Sequence, residues 1–217
     1  MILFRLIIIL LCTLSMGACK EDFSYPNVFT ELAEVKTDAK GKLVYLTTDN
    51  GETFSVKANK DTTTFAPDTL YRIISVYEKL EEDKNELLLH TAKPIIAPVP
   101  IPIESIKNGV KTDPVDIQSI WKTEKYLNMI LHVQTKNKPH TFHFVDQGIH
   151  PYKKEKHQQV LEFVLYHDRG DDYEAFTTKF YFSIPLYPYK DLMKKGDIIR
   201  LHIHTYKEGT TIREYEF

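Results

Sequence analysis

Two histidines near the end of the chain have the spacing closest to that of a metal site. His202 and His204 lie two positions apart in a predicted strand, so both side chains point to the same face of the sheet. Two imidazoles supply half of a zinc or copper site, whereas a mononuclear site needs three or four converging ligands. The spacing provides only this pair, which favours a solvent-facing row shared with Arg200 and Tyr206. We therefore predict no bound metal or cofactor, and we keep a metal-binding envelope protein as an alternative.

The acidic segment at residues 168–172 invites two further interpretations. Its sequence, DRGDD, holds three carboxylates, but they lack the regular spacing of a calcium-binding loop. It also contains Arg169-Gly170-Asp171, the tripeptide that integrins recognise. The same three residues are favourable in a tight turn. We expect an ordinary hairpin loop.

The sequence contains no nucleophile in a recognisable catalytic context. No serine stands in a Gly-x-Ser-x-Gly elbow, and no glycine-rich phosphate loop appears. The only two cysteines, Cys12 and Cys19, lie near the N-terminus, so the predicted folded part has no thiolate or disulfide. The carboxylate pair of a glycosidase is assembled across a fold, and nothing singles out two of the 30 acidic residues. We predict that the protein is not an enzyme.

The N-terminus has the order of a secretory signal. Arg5 is followed by the apolar run LIIILLC, and the small residues Gly17 and Ala18 stand immediately before Cys19. This arrangement resembles a bacterial lipobox, in which cleavage leaves the cysteine as a lipidated N-terminus. We therefore predict a signal peptide at residues 1–18 and lipidation of Cys19. The alternatives are an ordinary secretory signal and a membrane-spanning helix, although the apolar run is shorter than the about 20 residues that a span needs.

The predicted lipidated tether, residues 19–27, begins with a charged segment. Lys20, Glu21 and Asp22 directly follow the cysteine. Acidic residues at this place resemble the export signal that sends lipoproteins of Bacteroidetes to the cell surface. We expect an outer-membrane lipoprotein of the cell envelope, exposed at the surface and attached to the membrane through its lipid. The alternative is a solvated tether with incidental charges on the inner leaflet.

Aromatic residues in the second half of the chain form a candidate surface for a partner. Phe180, Tyr181 and Phe182 lie close in sequence to Tyr187 and Tyr189. If they are exposed, these rings can stack on sugars or anchor a protein. If they are buried, they belong to a hydrophobic core. We favour the core and keep the partner surface as an alternative.

The charge of the chain argues against nucleic acid as a partner. The formal net charge is −2, so the protein offers no excess of basic residues to a phosphate backbone. A basic groove lined with aromatic residues is what single-strand binding requires. We therefore expect an unknown protein or glycan as the ligand, and no nucleic acid.

The period of the apolar residues predicts an all-β protein with two domains. Residues 28–93 contain five short strands with a hairpin turn at Asn50-Gly51, and a closed OB-like barrel would leave no exposed edge. Residues 94–112 contain four prolines, which exclude a helix and a central strand, so we expect an extended connector packed on a domain surface. Residues 113–217 predict further strands of an antiparallel β-sandwich.

The order of these parts resembles a known family. A lipobox, five strands and a proline-rich connector precede the sequence DPVDIQSIW at residues 113–121, and YLN follows at residues 126–128. In this order they are similar to the NigD-like lipoproteins of Bacteroidetes. The resemblance implies an N-terminal OB-like domain and a C-terminal β-sandwich. It implies no catalytic residue, and it suggests a role in bacteriocin immunity.

These observations predict a non-catalytic envelope lipoprotein that acts as a binding or interaction module. Protection against an extracellular toxin is the specific role that the resemblance suggests. One alternative is a glycan-binding accessory or an enzyme of an outer-membrane nutrient-uptake system. An enzyme would gather histidine and acidic side chains in a deep polar pocket, whereas a binding module would present a shallow aromatic or apolar surface.

Overall fold

A computed structural model describes residues 27–81, 84–152 and 158–217 of the 217-residue chain. The predicted signal peptide, Cys19, and the residues Lys20, Glu21 and Asp22 lie outside the described residues. Within these ranges the fold is all-β, as the sequence predicts, and its helical parts are single 3-10 turns. None of the helices in the described residues is long and apolar enough to cross a membrane.

The N-terminal domain is a closed barrel of five strands, which confirms the prediction. Its strands are β1 (Val28–Thr37), β2 (Leu43–Thr48), β3 (Thr53–Asn59), β4 (Leu70–Glu81) and β5 (Glu86–Pro94). They follow the order β1-β2-β3-β5-β4, and β4 pairs with β1 to close the barrel. The predicted hairpin joins β2 to β3, and Gly51 in its turn has a φ of +87°, which glycine adopts without a steric clash.

Alternating side chains fill the barrel. In β1, Ala33 and Val35 are fully buried in the interior, whereas Glu34 between them hydrogen-bonds to the second domain. Leu46 and Ile73 are fully buried in the same cluster. The barrel therefore has its own hydrophobic core, and closure leaves no exposed strand edge.

The C-terminal domain is a sandwich of two sheets. Its strands are β6 (Ile101–Pro102), β7 (Asp116–Lys122), β8 (Tyr126–Thr135), β9 (Thr141–Pro151), β10 (Gln159–Asp168), β11 (Phe176–Pro185), β12 (Ile198–Thr205) and β13 (Gly209–Glu216). One sheet has the order β13-β12-β10-β9-β6, and the other has the order β11-β8-β7. Their inner faces meet in a core that includes Met129, Phe144, Phe163 and Phe182.

Most strand pairs of the sandwich are antiparallel, but β6 with β9 and β10 with β12 are parallel. The second of these pairs has a topological cause. Strand β11, which follows β10 in sequence, lies in the opposite sheet. The chain therefore crosses the core and returns beside β10 in the same direction. Local alternation does not indicate this crossing, because it reports which side of a strand is buried and not which strand is its neighbour.

The proline-rich connector is bound to both domains. The backbone N–H of Ile95 donates to the carbonyl of Arg72 in the barrel. The N–H of Ile96 donates to Tyr181 O, and the N–H of Ser183 donates to Ile96 O, so the connector adds a bridge beside β11. A few residues later, Ile101 and Pro102 form β6 at the edge of the other sheet. The connector thus holds the barrel against the three-stranded sheet.

A buried arginine joins the two domains directly. Arg72 on β4 has only 7% of its surface exposed. Its two terminal nitrogens each donate to a different oxygen of Asp49, over 2.6 Å in both cases. The same guanidinium also donates to Asn128 Oδ1 at 3.0 Å and, through Nε, to Ser183 Oγ at 3.1 Å. Four of the five N–H donors of an arginine therefore have a partner here.

The partners of Arg72 also bind one another. Asn128 Nδ2 donates to Asp49 Oδ2 at 2.9 Å, and Ser183 Oγ donates to Asn128 Oδ1 at 2.6 Å. The ring of Tyr126 lies 4.0 Å from the Arg72 carbon Cζ, in cation–π geometry. We call Asp49, Arg72, Tyr126, Asn128 and Ser183 the interdomain clasp. Two of its members belong to the barrel and three belong to the sandwich.

The clasp predicts a large loss of stability when its cation is removed. The change Arg72→Met should lower the free energy of unfolding by about 3–5 kcal/mol, because it leaves Asp49 without its buried counter-charge. As a control, Arg200→Met removes a partly exposed arginine that pairs with Glu162 and Glu214, and should lower it by less than about 1 kcal/mol. Urea unfolding followed by Trp121 fluorescence measures both values. Equal losses in the two variants would show that the clasp does not stabilise the fold.

Candidate functional site

A cleft of about 540 Å³ opens where the two domains meet. Its sandwich side is lined by Trp121, Ile130 and Tyr181. Its barrel side is formed by residues of β1, β4 and the β2–β3 turn, namely Thr30, Glu31, Leu32, Asp49, Asn50 and Ile74. A volume of this size is within the range of small-molecule and oligomer sites, which favour domain junctions.

The floor of the cleft is the outer face of the three-stranded sheet. Ile130 on β8 pairs with Tyr181 on β11 on one side and with Ser119 on β7 on the other. Trp121 lies two residues after Ser119, so its side chain points to the same face. Trp121, Ile130 and Tyr181 are each half-buried. An aromatic and aliphatic surface is therefore open to a ligand at the junction.

The same sheet face continues directly into the clasp. Trp121 pairs with Asn128, and Asn128 pairs with Ser183. The clasp therefore occupies one end of this face and presses the barrel against it, while the next row along the strands remains open as the cleft. This arrangement fixes the distance between the two walls.

The carboxylates at the cleft already hold groups of the protein. Asp49 is bound to Arg72, and Glu31 Oε1 accepts a hydrogen bond of 2.6 Å from the hydroxyl of Tyr77. Burial, and then this hydrogen bond to Glu31, raises the pKa of Tyr77 well above its ordinary value, so the phenol remains a donor. Neither carboxylate is placed beside an acid–base partner suited to catalysis. The arrangement favours binding over bond cleavage.

A second polar cluster lies at the far end of the sandwich and is buried. His140 Nε2 lies 3.0 Å from Asp172 Oδ2, and His140 Nδ1 lies 2.9 Å from His167 Nε2. His167 Nδ1 in turn lies 2.9 Å from the carbonyl oxygen of Asp113. The His140 and Asp172 side chains are only 2% and 1% exposed, so they connect loops inside the fold.

The hydrogen bonds of this cluster determine where its protons lie. A carbonyl oxygen only accepts, so His167 Nδ1 donates to Asp113 and neutral His167 Nε2 accepts from His140. Burial lowers the pKa of His167, which keeps that ring neutral. The carboxylate of Asp172 also accepts, so His140 Nε2 donates a hydrogen bond to it.

The environment of Asp172 keeps it ionised. Burial by itself would raise the pKa of this carboxyl, but hydrogen bonds from Thr135 Oγ1, the backbone N–H of Lys136 and His140 outweigh it. The resulting pKa lies far below the ordinary value. The Arg-Gly-Asp tripeptide lies in the same β10–β11 loop, where Arg169 pairs with Glu174. Asp172 is thus a structural residue of this loop, and its carboxylate accepts internal hydrogen bonds.

The histidine pair of the sequence lies on the outer face of the five-stranded sheet. His202 Nε2 is 3.4 Å from Glu162 Oε1, and His204 Nδ1 is 3.2 Å from Thr210 Oγ1. Arg200, on the same face, binds Glu162 and Glu214. Across residues 27–81, 84–152 and 158–217, no group of three or more histidine, cysteine or acidic side chains could hold a metal ion. The structure therefore does not bring a third ligand to this pair.

The five aromatic candidates separate into core and surface residues. Phe182 and Tyr189 are buried in the core of the sandwich, which is the favoured interpretation, so the alternative of a partner surface does not extend to these two. The physical reason is that the side chain of Phe182 points from β11 into the space between the two sheets. Tyr189 also lies in this core, where its ring packs edge-on against Phe163. Phe180 is half-buried against the same core. Tyr181 lines the cleft, whereas Tyr187, which is 55% exposed, lies outside it.

Trp121 is a cleft residue that the sequence reasoning did not place among the candidate site residues. The motif at residues 113–121 indicated a strand that ends on the single tryptophan, but not the surface that this side chain faces. The pattern of apolar residues along β7 contains a signal for the direction of this side chain. Ile117 and Ile120 both pack against the core despite their odd spacing, because a β-bulge lies between Ile117 and Ser119. Trp121 therefore points to the opposite face.

Fold and site together define a two-domain, all-β protein with a ligand-sized aromatic cleft at the domain junction. The family model for the NigD-like N-terminal OB domain matches residues 32–88, and the family model for the NigD-like C-terminal beta sandwich domain matches residues 98–217. The chain belongs to the NigD-like family. No curated protein matches it.

Solved structures share this architecture. A NigD-like immunity protein from Bacteroides caccae is 28% identical, with a TM-score of 0.72, and the match covers 90% of this chain and 99% of that chain. A candidate toxin-related protein from Parabacteroides distasonis is 17% identical, with a TM-score of 0.66 and coverage of 88% and 93%. A candidate lipoprotein from Bacteroides fragilis is 14% identical, with a TM-score of 0.58 and coverage of 88% and 97%. The structures from Parabacteroides distasonis and Bacteroides fragilis show the fold alone, because their identity to this chain is low. The NigD-like family and the similarity to the immunity protein from Bacteroides caccae fit a non-catalytic role.

The buried histidine cluster predicts a loss of stability in acid. Asp172→Asn should lower the melting temperature by several degrees at pH 7, because it removes the buried carboxylate that accepts hydrogen bonds from Thr135, Lys136 and His140. Asp171→Asn is the matched control, since the side chain of Asp171 is 90% exposed, and this change should have little effect. Thermal unfolding by circular dichroism measures both.

The pH dependence has a defined sign. The folded pKa of Asp172 is lowered, so its contribution is complete above the ordinary value of 3.8 and is lost as the pH falls below it. The folded pKa of His167 is also lowered, so stability already declines as the pH falls below the ordinary value of 6.5. The difference between wild type and Asp172→Asn should therefore shrink below pH 3.8. A difference that does not change with pH would contradict this account.

Proposed function

We propose that the protein is a non-catalytic ligand-binding protein of the cell envelope and that the interdomain cleft is its binding site. One observation carries the proposal, namely that the cleft combines an open floor of Trp121, Ile130 and Tyr181 with carboxylates that already hold protein groups. Ligand sites typically combine apolar and aromatic walls with a few placed polar groups. The function is then occupancy, with no bond made or broken.

The clasp makes the cleft suitable for this role. Because Arg72 is buried and hydrogen-bonded to both domains, the two walls are held before a ligand arrives. A preformed site loses less conformational entropy on binding than one that must close around its ligand. Water displaced from the aromatic floor supplies the favourable hydrophobic contribution.

A catalytic role has weaker support. His140 and Asp172 are the histidine–carboxylate pair with the shortest contact among the described residues. Their side chains are almost completely buried, and their hydrogen bonds are used by loops of the sandwich. A substrate atom has no direct access to either ring nitrogen or carboxylate oxygen. This observation supports the proposed non-catalytic role.

The location that we propose is the outer surface of the outer membrane, with a lipid on Cys19 as the anchor. The small residues before Cys19 support processing as a lipoprotein, and Glu21 and Asp22 support export to the surface. A protein of the same fold from Bacteroides fragilis carries the name of a candidate lipoprotein. A tether of residues 19–27 would allow the two domains to stand away from the lipid headgroups.

Protease treatment of intact cells tests this location. We expect a broad protease to remove the wild-type protein, while replacement of Lys20, Glu21 and Asp22 by alanine leaves it protected. Cys19→Ala should move the protein out of the membrane fraction, because the lipid is lost. The measurement is an immunoblot of cells and fractions, with lysed cells as the control for cleavage. A wild-type protein that is protected in intact cells and cleaved in lysates would place it inside the outer membrane.

The finer role that we propose is protection against an extracellular toxin. The relative from Bacteroides caccae is named an immunity protein, and it is similar over nearly the whole of both chains. A surface protein can protect by occupying either the toxin or the surface group that the toxin recognises. Both mechanisms need a ligand site on the exposed domains, which the cleft would supply.

A deletion strain tests protection. We expect deletion to increase killing at least about tenfold by the culture supernatant of at least one bacteriocin-producing strain. Wild type and Tyr187→Ala should restore survival, whereas Trp121→Ala should not, because only the second change removes part of the cleft floor. Surface levels measured by blot are the control for expression. Equal survival of the deletion strain with every supernatant would reject protection, and rescue by Trp121→Ala would reject the cleft as the site.

A further inference from the structure

We infer that the interdomain cleft binds a neutral carbohydrate chain, with separate sugar rings stacked on Trp121 and Tyr181. This inference rests on the proposed function, since it assigns a ligand class to the same cleft. Three features of the site support it: the separation of the two aromatic side chains, the charge at the walls and the polar groups at the rim.

The two aromatic residues are placed to contact different parts of one extended ligand. Trp121 is on β7 and Tyr181 is on β11, with β8 between them. Two strand spacings separate them across the sheet by about 10 Å, and two residues separate them along it by about 7 Å. Ile130 fills the surface between the rings. One flat face therefore offers two stacking positions with an apolar contact between them.

Aromatic rings on a flat sheet suit the faces of sugars. The face of an indole or phenol ring is electron-rich, and it attracts the weakly positive C–H groups on one face of a pyranose. Both side chains are half-buried, so each has lost part of its conformational freedom before binding. A nucleobase would stack equally well on these rings, but its phosphates would require a basic groove.

The charges lining the cleft cancel, which favours a neutral ligand. The negative charge of Asp49 is neutralised by Arg72 in the clasp. The other two charged lining residues are also engaged with the protein, since Glu31 Oε1 accepts a hydrogen bond from Tyr77 and the Lys122 ammonium lies 5.8 Å from the ring centre of Phe217. An acidic polysaccharide or a strongly basic peptide would therefore find no complementary potential here. This balance separates a neutral glycan from the charged alternatives.

The rim of the cleft offers the mixture of donors and acceptors that sugar hydroxyls need. Asn50 and Thr30 are exposed at the rim, where Asn50 supplies an amide donor and acceptor and Thr30 supplies a hydroxyl. A hydroxyl both donates and accepts, so each of these groups can pair with it.

The single tryptophan of the chain makes the test specific to the site. Trp121 lines the cleft and is the only tryptophan, so its fluorescence reports on this surface alone. We would titrate the purified folded protein with cellohexaose, maltohexaose, mannohexaose and xylohexaose. Polygalacturonate and heparin serve as acidic probes.

We expect a saturable change in Trp121 fluorescence with at least one neutral hexasaccharide and none with the acidic polymers. Tyr181→Ala should raise the Kd at least about tenfold, and Trp121→Ala should do the same in calorimetry, whereas Tyr187→Ala should leave it unchanged. Circular dichroism of each variant shows whether it is folded. Binding that is lost in Tyr187→Ala and kept in Tyr181→Ala would overturn the inference.

Two failures are distinguishable. If only an acidic polymer, or a toxin preparation, changes the Trp121 signal and Trp121→Ala abolishes its binding, the cleft is a ligand site and the carbohydrate class is wrong. If none of the probes binds, the inference is rejected, and survival of cells that carry Trp121→Ala decides the proposed function separately. A cleft variant that protects as well as wild type would then remove the cleft from that function.

Discussion

The buried guanidinium of Arg72 is the constraint on which the architecture depends. A charge removed from water destabilises a fold unless it is paired and hydrogen-bonded, and here the partners of four of its five donors come from both domains. The barrel supplies Asp49, and the sandwich supplies Asn128 and Ser183 together with the ring of Tyr126. A sideways shift of one domain would leave several polar groups buried and unpaired. The relative position of the domains is therefore set by hydrogen-bond geometry, which is more directional than apolar contact.

This constraint also creates the site. The clasp occupies one end of the outer face of the three-stranded sheet, and the barrel overhangs the next row of that face. Trp121, Ile130 and Tyr181 thus remain partly open to solvent, although they lie on a sheet that the barrel partly covers. In the same way, the pairing of Asp49 with Arg72 neutralises a carboxylate at the wall. One set of contacts therefore determines the shape of the cleft, its charge and its rigidity.

Much of the fold could be predicted because its determinants are local. Alternation of period two gave the strands, and Asn50-Gly51 gave the hairpin, since glycine accepts a positive φ. The site was less predictable. Phe182 and Tyr181 are neighbours with similar chemistry, yet one is core and the other lines the cleft, because successive side chains of a strand point to opposite faces. Which of the two faces is covered depends on contacts with distant parts of the chain.

The amino-acid sequence by itself determined an all-β chain with a barrel, a proline-rich connector and a sandwich, because these features follow from alternation, turn residues and the missing N–H of proline. Only the tertiary structure decided that β10 and β12 run parallel, that β6 joins the sandwich edge and that Arg72 meets Asn128 across 56 positions. Such pairings connect residues far apart in sequence, and no local pattern encodes them. The cleft belongs to this second group, since its walls come from two separate domains.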